Sequence, residues 1–478
     1  MKARIFAEES RKWWTLGAVA FALFMIMLDN TVVNVALPSI QSDLGIGLSQ
    51  LEWTVNAYAL TFAVLMLSGG KMADFFGRRR IFLVGLAIFT VSSLACGLAT
   101  SGETLIGART VQGIGAALMM PATLSIISAT FPPHQRGMAI GIWAGVSAMA
   151  LAIGPLIGGL VTEHINWSWI FFINVPIGIL GLLVGRLVIR ESRDTSHDQR
   201  LDIPGLIASG VGLFALTFAL IEGNAYGWAD PLIIGLFALS AVSLAGFVLL
   251  ERHQRSPLLD LSLFKSSTFA GANVVALLVT LAMFGVFFFM SIYMQNILGY
   301  SATKTGAAFL PMTVLIILIA PAAGKFSDRV GSRWLMTAGM TCLTVALIVF
   351  SRLGLDSGFW DIAPGLLVGG LGLALVMTPM TAAALGSVPV EKSGVGSGVL
   401  NTFRQVGGAL GIAVMGAIVA SYIDLDAAGR PDPAAFIDGF QRALEVSAVF
   451  ALLGAVIAAG TIRKHRHLDA GDLAEAAA

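Results

Sequence analysis

The stretch Gly70–Arg80, GKMADFFGRRR, returns 254 residues further on as Gly324–Trp334, GKFSDRVGSRW. The two copies share Gly, Lys, Asp, Gly and an Arg at fixed offsets: Gly70, Lys71, Asp74, Gly77 and Arg79 answer to Gly324, Lys325, Asp328, Gly331 and Arg333. Each copy lies between two long apolar runs, so the chain carries an internal duplication. The first copy follows the second apolar run and the second follows the tenth. The repeat unit is therefore eight runs long where a plain doubling of six would need six.

Working outward from these copies, apolar segments lie near 13–36, 51–70, 81–100, 103–130, 138–161, 168–189, 204–223, 231–250, 268–296, 304–324, 333–351, 359–386, 396–420 and 439–462. Each is close to the ~20 residues that a helix needs to cross the hydrocarbon core, which predicts fourteen spans. The composition agrees, because 12% of the 478 residues are charged against about 25% in soluble domains. A net charge of +1 gives no general attraction to nucleic acid. Cys96 and Cys342 both sit inside apolar runs, which excludes a disulfide framework and a metal cluster. The first run follows Lys2, Arg4, Arg11 and Lys12. It is longer than a signal-peptide core and lacks a small-residue cleavage site, so it reads as an uncleaved first helix.

Orientation follows from the basic residues, which concentrate on the cytoplasmic side of spanning helices. With both termini inside, 23 of the 29 Lys and Arg fall in cytoplasmic segments and four, Lys304, Arg352, Arg430 and Arg442, fall outside. One missed helix would scramble that division. Only Arg109 and Arg404 remain, both within predicted helices.

The residues then match a family. The chain resembles the fourteen-helix drug:proton antiporter branch of the major facilitator superfamily over essentially its whole length. Leu28–Ile40, LDNTVVNVALPSI, resembles that branch's helix 1 signature, and Gly70–Arg80 resembles the superfamily's loop 2–3 motif, with Phe75 where a basic residue is usual. Arg109, Gln112, Gly113 and Gly115 resemble the helix 4 motif, and Gly141, Gly154, Pro155, Gly158 and Gly159 the antiporter motif of helix 5, with Ala150 in place of its usual Gly. In the second half, Tyr293, Gln295, Gly299, Tyr300, Gly306 and Pro311, then Gly396–Asn401 with Arg404, Gln405 and Gly407, are similar to the corresponding stretches. The resemblance implies an all-α integral membrane protein with the major facilitator fold, two six-helix halves plus two additional transmembrane helices. It divides the chain into residues 1–190, an inserted unit 191–267 holding helices 7 and 8, a second half 268–463 and a cytoplasmic tail 464–478. Helices 7 and 8 are expected at the periphery.

Asp29 is the most informative single residue. An ionised carboxylate costs at least ~2.5 kcal/mol in hydrocarbon, so an acid inside a span marks function and faces a partner or cavity. At 1.5 Å per residue from Trp13, Asp29 lies about 24 Å up, and Arg109 lies roughly 9 Å below the outer face, at nearly the same depth. Asp29 reads as a proton carrier paired transiently with Arg109; the alternative is a helix contact through Asn30 or Asn34. For Arg109 the alternative is snorkelling outward or a brace on backbone carbonyls at helix ends, and Arg404 reads as snorkelling to the inner face. The family likeness makes Gly70, Asp74, Gly77, Arg78 and Arg79, with Gly324, Asp328, Gly331 and Arg333, a gate, while the arginines alone would serve to set topology. It makes the helix 5 glycines a seam between halves. Asn34, Trp53, Tyr58, Gln112, Met120, Tyr293 and Asn401 are candidate substrate contacts. Glu222, Asn224 and Trp228 read as interface anchors, which leaves Asp29 as the acid deep in a span.

No Gly-rich phosphate loop with Lys-Ser/Thr is present, so ATP is not the expected energy source. The six histidines fall in predicted loops or the tail and offer no catalytic pair within the membrane. The expectation is a proton-coupled exporter of amphipathic compounds, cations among them, in the cell membrane. It has no cofactor beyond the coupling proton, no metal and no nucleic-acid partner, and it works as a lipid-embedded monomer by alternating access. The same scaffold would also serve export of a lipid or a self-made natural product.

Overall fold

The computed structural model describes residues 8–193, 202–254, 257–388, 393–422 and 432–463, and every regular element among them is helical. In lipid a helix satisfies its own backbone donors and acceptors, which is why the apolar runs adopt it. In chain order they are α1 Glu8–Leu44, α2 Leu48–Phe76, α3 Arg78–Gly97, α4 Gly102–Thr130, α5 Pro133–His164 and α6 Trp169–Val188. There follow α7 Ile203–Tyr226, α8 Pro231–His253, α9 Ser267–Ile292, α10 with segments Ala302–Ala308 and Leu310–Val330, α11 Ser332–Phe350, α12 Phe359–Gly386, α13 Ser393–Tyr422 and α14 Pro433–Thr461. Among the described residues thirteen helices are long and apolar enough to cross a membrane. The remaining one of comparable length is α5, 32 residues long.

Polar residues at the ends fix where the helices begin. Ser101 caps α4 by accepting from the Thr104 amide, Asp202 caps α7 through Gly205, Asp230 caps α8 through Leu232, and Asp432 caps α14 through Ala434. Each removes one orphan donor from the first turn. The sequence reading runs α9 unbroken to 296; instead a π-helical turn, Tyr293–Ile297, closes it.

The duplication read from the loops is written into the packing. α1 packs on α5, α2 and α3 on α4, and α3 on α6; eight helices on, α9 packs on α13, α10 and α11 on α12, and α11 on α14. Between the two sets α2 meets α13 and α5 meets α10, two contacts related by the same repeat, and α1 meets α9. Helix ends define two faces. The near face holds the start of α1 and the loop at Gly77, and the far face holds the turns at Gly45, Leu98 and Ile165.

The inserted pair divides in a way the sequence does not anticipate. α8 packs against α7 and is largely unburied, as a peripheral helix should be. α7, by contrast, lies against both α2 and α13 and so bridges the two sets.

Candidate functional site

Asp29 of α1 and Arg109 of α4 are 0% and 1% exposed, and the guanidinium Nη1 donates directly to Asp29 Oδ2. The same Nη1 donates to Gln112 Oε1 at 2.7 Å, and Gln112 Nε2 donates to Asp29 Oδ1 at 3.0 Å, so both carboxylate oxygens are held from α4. Arg109 Nε donates to the Thr54 carbonyl of α2 at 3.1 Å, and the Tyr58 ring lies with its centroid 4.2 Å from the guanidinium carbon. Three helices therefore converge on one buried pair. The planar guanidinium suits this, since its donors diverge from a single rigid fork. Gly113 permits the approach, because a Cβ there would stand 2.6 Å from the Tyr58 carbonyl of α2.

The alternative partners for Asp29 are engaged elsewhere. Asn30 Nδ2 donates to the Ile26 carbonyl and Asn34 Nδ2 to that of Asn30, both within α1. Gln112, a candidate substrate contact by sequence, is instead the third member of the charge cluster. Tyr58 is fully buried beneath Arg109, and Met120 is buried in the core of the first six helices. Tyr293 gives its hydroxyl to the Gly354 carbonyl and stacks on Phe440. Trp53 donates to Glu222, and Asn401 bonds to its own helix at Ser397. These seven candidates are thus not gathered at one place in this arrangement.

Arg404 is engaged within the second set of helices. Its Nη2 donates to Thr381 of α12 at 2.7 Å, its Nη1 donates to Asn401 Oδ1 at 3.5 Å, its Nε is buried without a partner, and no ion pair of Arg404 is present among the described residues.

The first copy of the loop repeat is a clamp. Gly77 has φ +113°, a conformation that L side chains rarely adopt, and it lets Arg78 fold back on Asp74 at 2.9 Å. Glu191, which sequence reading passed over as linker, accepts from the Arg79 amide at 3.0 Å, while the Arg78 amide donates to the Ser192 carbonyl. In the second copy Gly331 has φ +94°, the Ser327 and Ser332 hydroxyls pair at 2.8 Å, and Arg333 lies over Trp334. The side chain of Asp328 lies outside the described residues. Gly70 and Gly324 sit over Pro121 and Thr378, equivalent places on α4 and α12.

The helix 5 glycines serve two contacts. Cβ positions at Gly154 and Gly158 would collide with Thr31 and Val32 of α1, and one at Gly159 would stand 2.4 Å from the Ala302 carbonyl of α10. The approach is reciprocal, since Gly306 of α10 faces the Pro155 carbonyl. Close contact between α5 and α10 is thereby fixed at the far face, whereas Gly141, towards the near face, has no neighbour within 4 Å of a Cβ. Thr303 adds a polar tie there, its amide donating to Glu163 Oε2 at 2.8 Å.

Two acids missed by sequence reading or set aside by it lie nearby. Glu52 of α2 is 2% exposed, and Glu222 of α7 accepts from Ser49 Oγ at 2.6 Å and Trp53 Nε1 at 3.0 Å. Glu52 stands at the very edge of its apolar run, where an acid reads as a loop residue.

Comparison with known proteins gives a consistent picture. A family model described as Major Facilitator Superfamily matches residues 19–412. A tetracenomycin C resistance and export protein of Streptomyces glaucescens is 38% identical over 86% of this chain and 77% of its own length. The multidrug resistance protein Stp of Mycobacterium tuberculosis is 36% identical over 86% of this chain and 76% of its own. Among solved structures, a bacterial homolog of the human lysosomal transporter Spinster, inward-facing and unoccupied, superimposes with a TM-score of 0.66 at 19% identity, covering 95% of this chain and 98% of that one. At that identity the likeness is one of fold.

Proposed function

The chain belongs to the Major Facilitator Superfamily, and we propose that within it this protein is a proton-coupled antiporter exporting amphipathic compounds, cations among them. It is a multi-pass transporter of the cell membrane, with antibiotic-resistance and export proteins among its relatives. We read α5 as the fourteenth span and the near face, with both termini, as cytoplasmic, following the division of basic residues. Residues 1–190 and 268–463 are then the two halves that rock, and the contacts of α5 with α10 close the outer side in this arrangement.

The observation that carries the reading is the buried Asp29–Arg109–Gln112 cluster. A carboxylate and a guanidinium are retained inside a membrane bundle at a cost of several kilocalories per mole each before pairing, which favours a working role over a structural one. When the contact between α1 and α4 loosens within the first half during the cycle, Asp29 loses its partner and takes a proton. A cationic substrate and a proton then compete for one negative site, and exchange follows by linkage without direct contact between substrate and Asp29.

The test is a panel of dyes and antibiotics offered to the full chain in proteoliposomes. Accumulation driven by a pH gradient and lost in Asp29→Asn supports the reading, and uptake indifferent to the gradient overturns it. A second reading, export of a single natural product, is favoured by the relative named for tetracenomycin C export. The same panel separates the two, since a single-compound exporter moves one member and a multidrug exporter moves many.

A further inference from the structure

Glu52 lies in the seam where α2 of the first six helices meets α13 of the last six. Its carboxyl rests on the bare Cα of Gly416, where a Cβ would come within 2.1 Å of Oε1 and 2.4 Å of Oε2, and Oε2 has no hydrogen-bond partner. One turn further along the same face, Asn56 is also fully buried with neither amide atom partnered. Two unpartnered polar side chains therefore line a contact between helices that must part during transport.

The end of α7 braces that contact. Glu222 holds α2 through Ser49 and Trp53, while Asn224 Nδ2 donates to the Ala417 carbonyl of α13 at 2.7 Å, next to Gly416. The charged groups around Glu52 are few. α7 brings Glu222; α4 brings Glu103 and Arg109, the latter bound to Asp29 of α1; and among its described residues α13 brings Arg404, about 18 Å away along the axis. None is a cation paired with Glu52 among the described residues, and Glu222, held by Ser49 and Trp53 on the same helix as Glu52, is itself an acid.

We propose that Glu52 is a second proton-binding site of the transport cycle, occupied when the outer ends of α2 and α13 close and emptied when they part. Burying an ionised carboxylate with an unpartnered oxygen is costly, whereas the neutral acid fits the same place with a far smaller desolvation penalty. Parting the seam lets water reach Glu52 and Asn56, and the proton leaves to that water. The inference rests on the proton-coupled reading above and adds a site to it. With Asp29 and Glu52 both loaded, a monovalent cation leaves against two protons, so export moves net charge.

The seam itself gives a readout that needs no substrate. Spin labels at Leu48→Cys and Tyr422→Cys, in the full chain with Cys96→Ser and Cys342→Ser, report the separation of α2 and α13 in lipid between about pH 5 and about pH 9. The closed-to-open ratio is expected to fall with rising pH, about tenfold for each unit by which the proton affinity of Glu52 differs between the two states. Glu52→Gln is expected to stay closed throughout, Gly416→Ala to stay open throughout by displacing the carboxyl, and Glu222→Gln to keep the response at a lower midpoint. A response in Glu52→Gln equal to wild type, or none in wild type, overturns the proposal. Gradient-driven transport without a seam response sinks this site and leaves the antiporter reading standing; a seam response without gradient-driven transport does the reverse.

Discussion

The first six helices and the last six share one packing plan but handle buried charge in opposite ways. Arg109 is matched by a carboxylate, an amide and a carbonyl from three helices, whereas Arg404 meets only the neutral groups of Thr381 and Asn401 among the described residues, with its Nε left over. In the first loop copy Asp74, Arg78 and Glu191 form a clamp; among the described side chains of the second, which do not include Asp328, the Ser327 and Ser332 hydroxyls pair and Arg333 lies over Trp334. Duplication preserved which helix touches which, because that is set by apolar faces and glycines all along each helix. Charge chemistry depends on a few side chains, and each set acquired its own.

If the work of coupling lies in the first set, Asp29→Asn gives the largest effect. The amide keeps the shape of the side chain and one of its two accepting oxygens but cannot titrate, so gradient-driven export should fall to background while the protein remains folded in the membrane. Concentrative export by the Asn variant at the wild-type rate would erase the contrast between the two sets.

Next comes the pair of arginines. Arg109→Ala strands Asp29 in the bundle, and breaking a buried ion pair costs about 3–5 kcal/mol, so both thermal stability and active transport should drop sharply. Arg109→Lys should rescue only in part, since one ammonium cannot reach Asp29, Gln112 and Thr54 in the same geometry. Arg404→Ala should cost about 1 kcal/mol, because Thr381 keeps its bond to the Met377 carbonyl and the substitution also removes a buried charge. Melting of the three variants in detergent, set beside their transport rates, tests the ranking. Equal losses for Arg109→Ala and Arg404→Ala would show that burial of an arginine matters more than its partner.

The contrast also explains what sequence reading delivers. The helix pattern, the duplication and the meeting of Asp29 with Arg109 follow from quantities local to each run: its length, its flanking charges and a depth at 1.5 Å per residue. Glu52 eludes it, since its burial is decided by a glycine 364 positions away (52 to 416). Glu191 reads as linker because its partners are backbone amides, which carry no sequence signature. α7 reads as peripheral because its few polar residues sit at one end, and only the fold shows that this end spans α2 and α13. Arg404 reads as snorkelling because Thr381 lies on another helix.

A smaller effect separates the two loop copies. Gly77→Val forces a β-branched residue to φ +113° and drives its Cβ to 2.7 Å from the Glu191 carboxyl, which adds to a φ penalty of about 1–3 kcal/mol that Gly331→Val shares at φ +94°. Turnover should fall in both and further in the first, with substrate affinity little changed, as a gate remote from the binding region requires. Asp74→Asn, which keeps a hydrogen bond to Arg78 but loses its charge, should fall between Gly331→Val and wild type. A loss of affinity at normal turnover would move the first loop from gate to substrate site.

The smallest effect concerns the outer tie between α5 and α10, where an exposed acid of the first set holds a backbone amide of the last. The Ser301 hydroxyl and the Thr303 amide hold the Glu163 carboxyl down to about 2 from an ordinary 4.5. A carboxylate stabilised in the closed state contributes fully above its ordinary value and loses that contribution as it is protonated. The tie is therefore intact at neutral pH and weakens as pH falls from 4.5 towards about 2. Glu163 is exposed, so solvent screens the interaction, and the backbone approaches at Gly159 and Gly306 persist without it. Glu163→Gln should reduce closure of the outer α5–α10 contact by roughly twofold to threefold at neutral pH, read as the yield of a disulfide between cysteines at 160 and 303. It should also remove the acid-induced loss seen in wild type. If wild type and Glu163→Gln lose closure alike on acidification, the acid response of the outer face belongs to a group other than Glu163, and one other than Glu52, whose protonation favours closure.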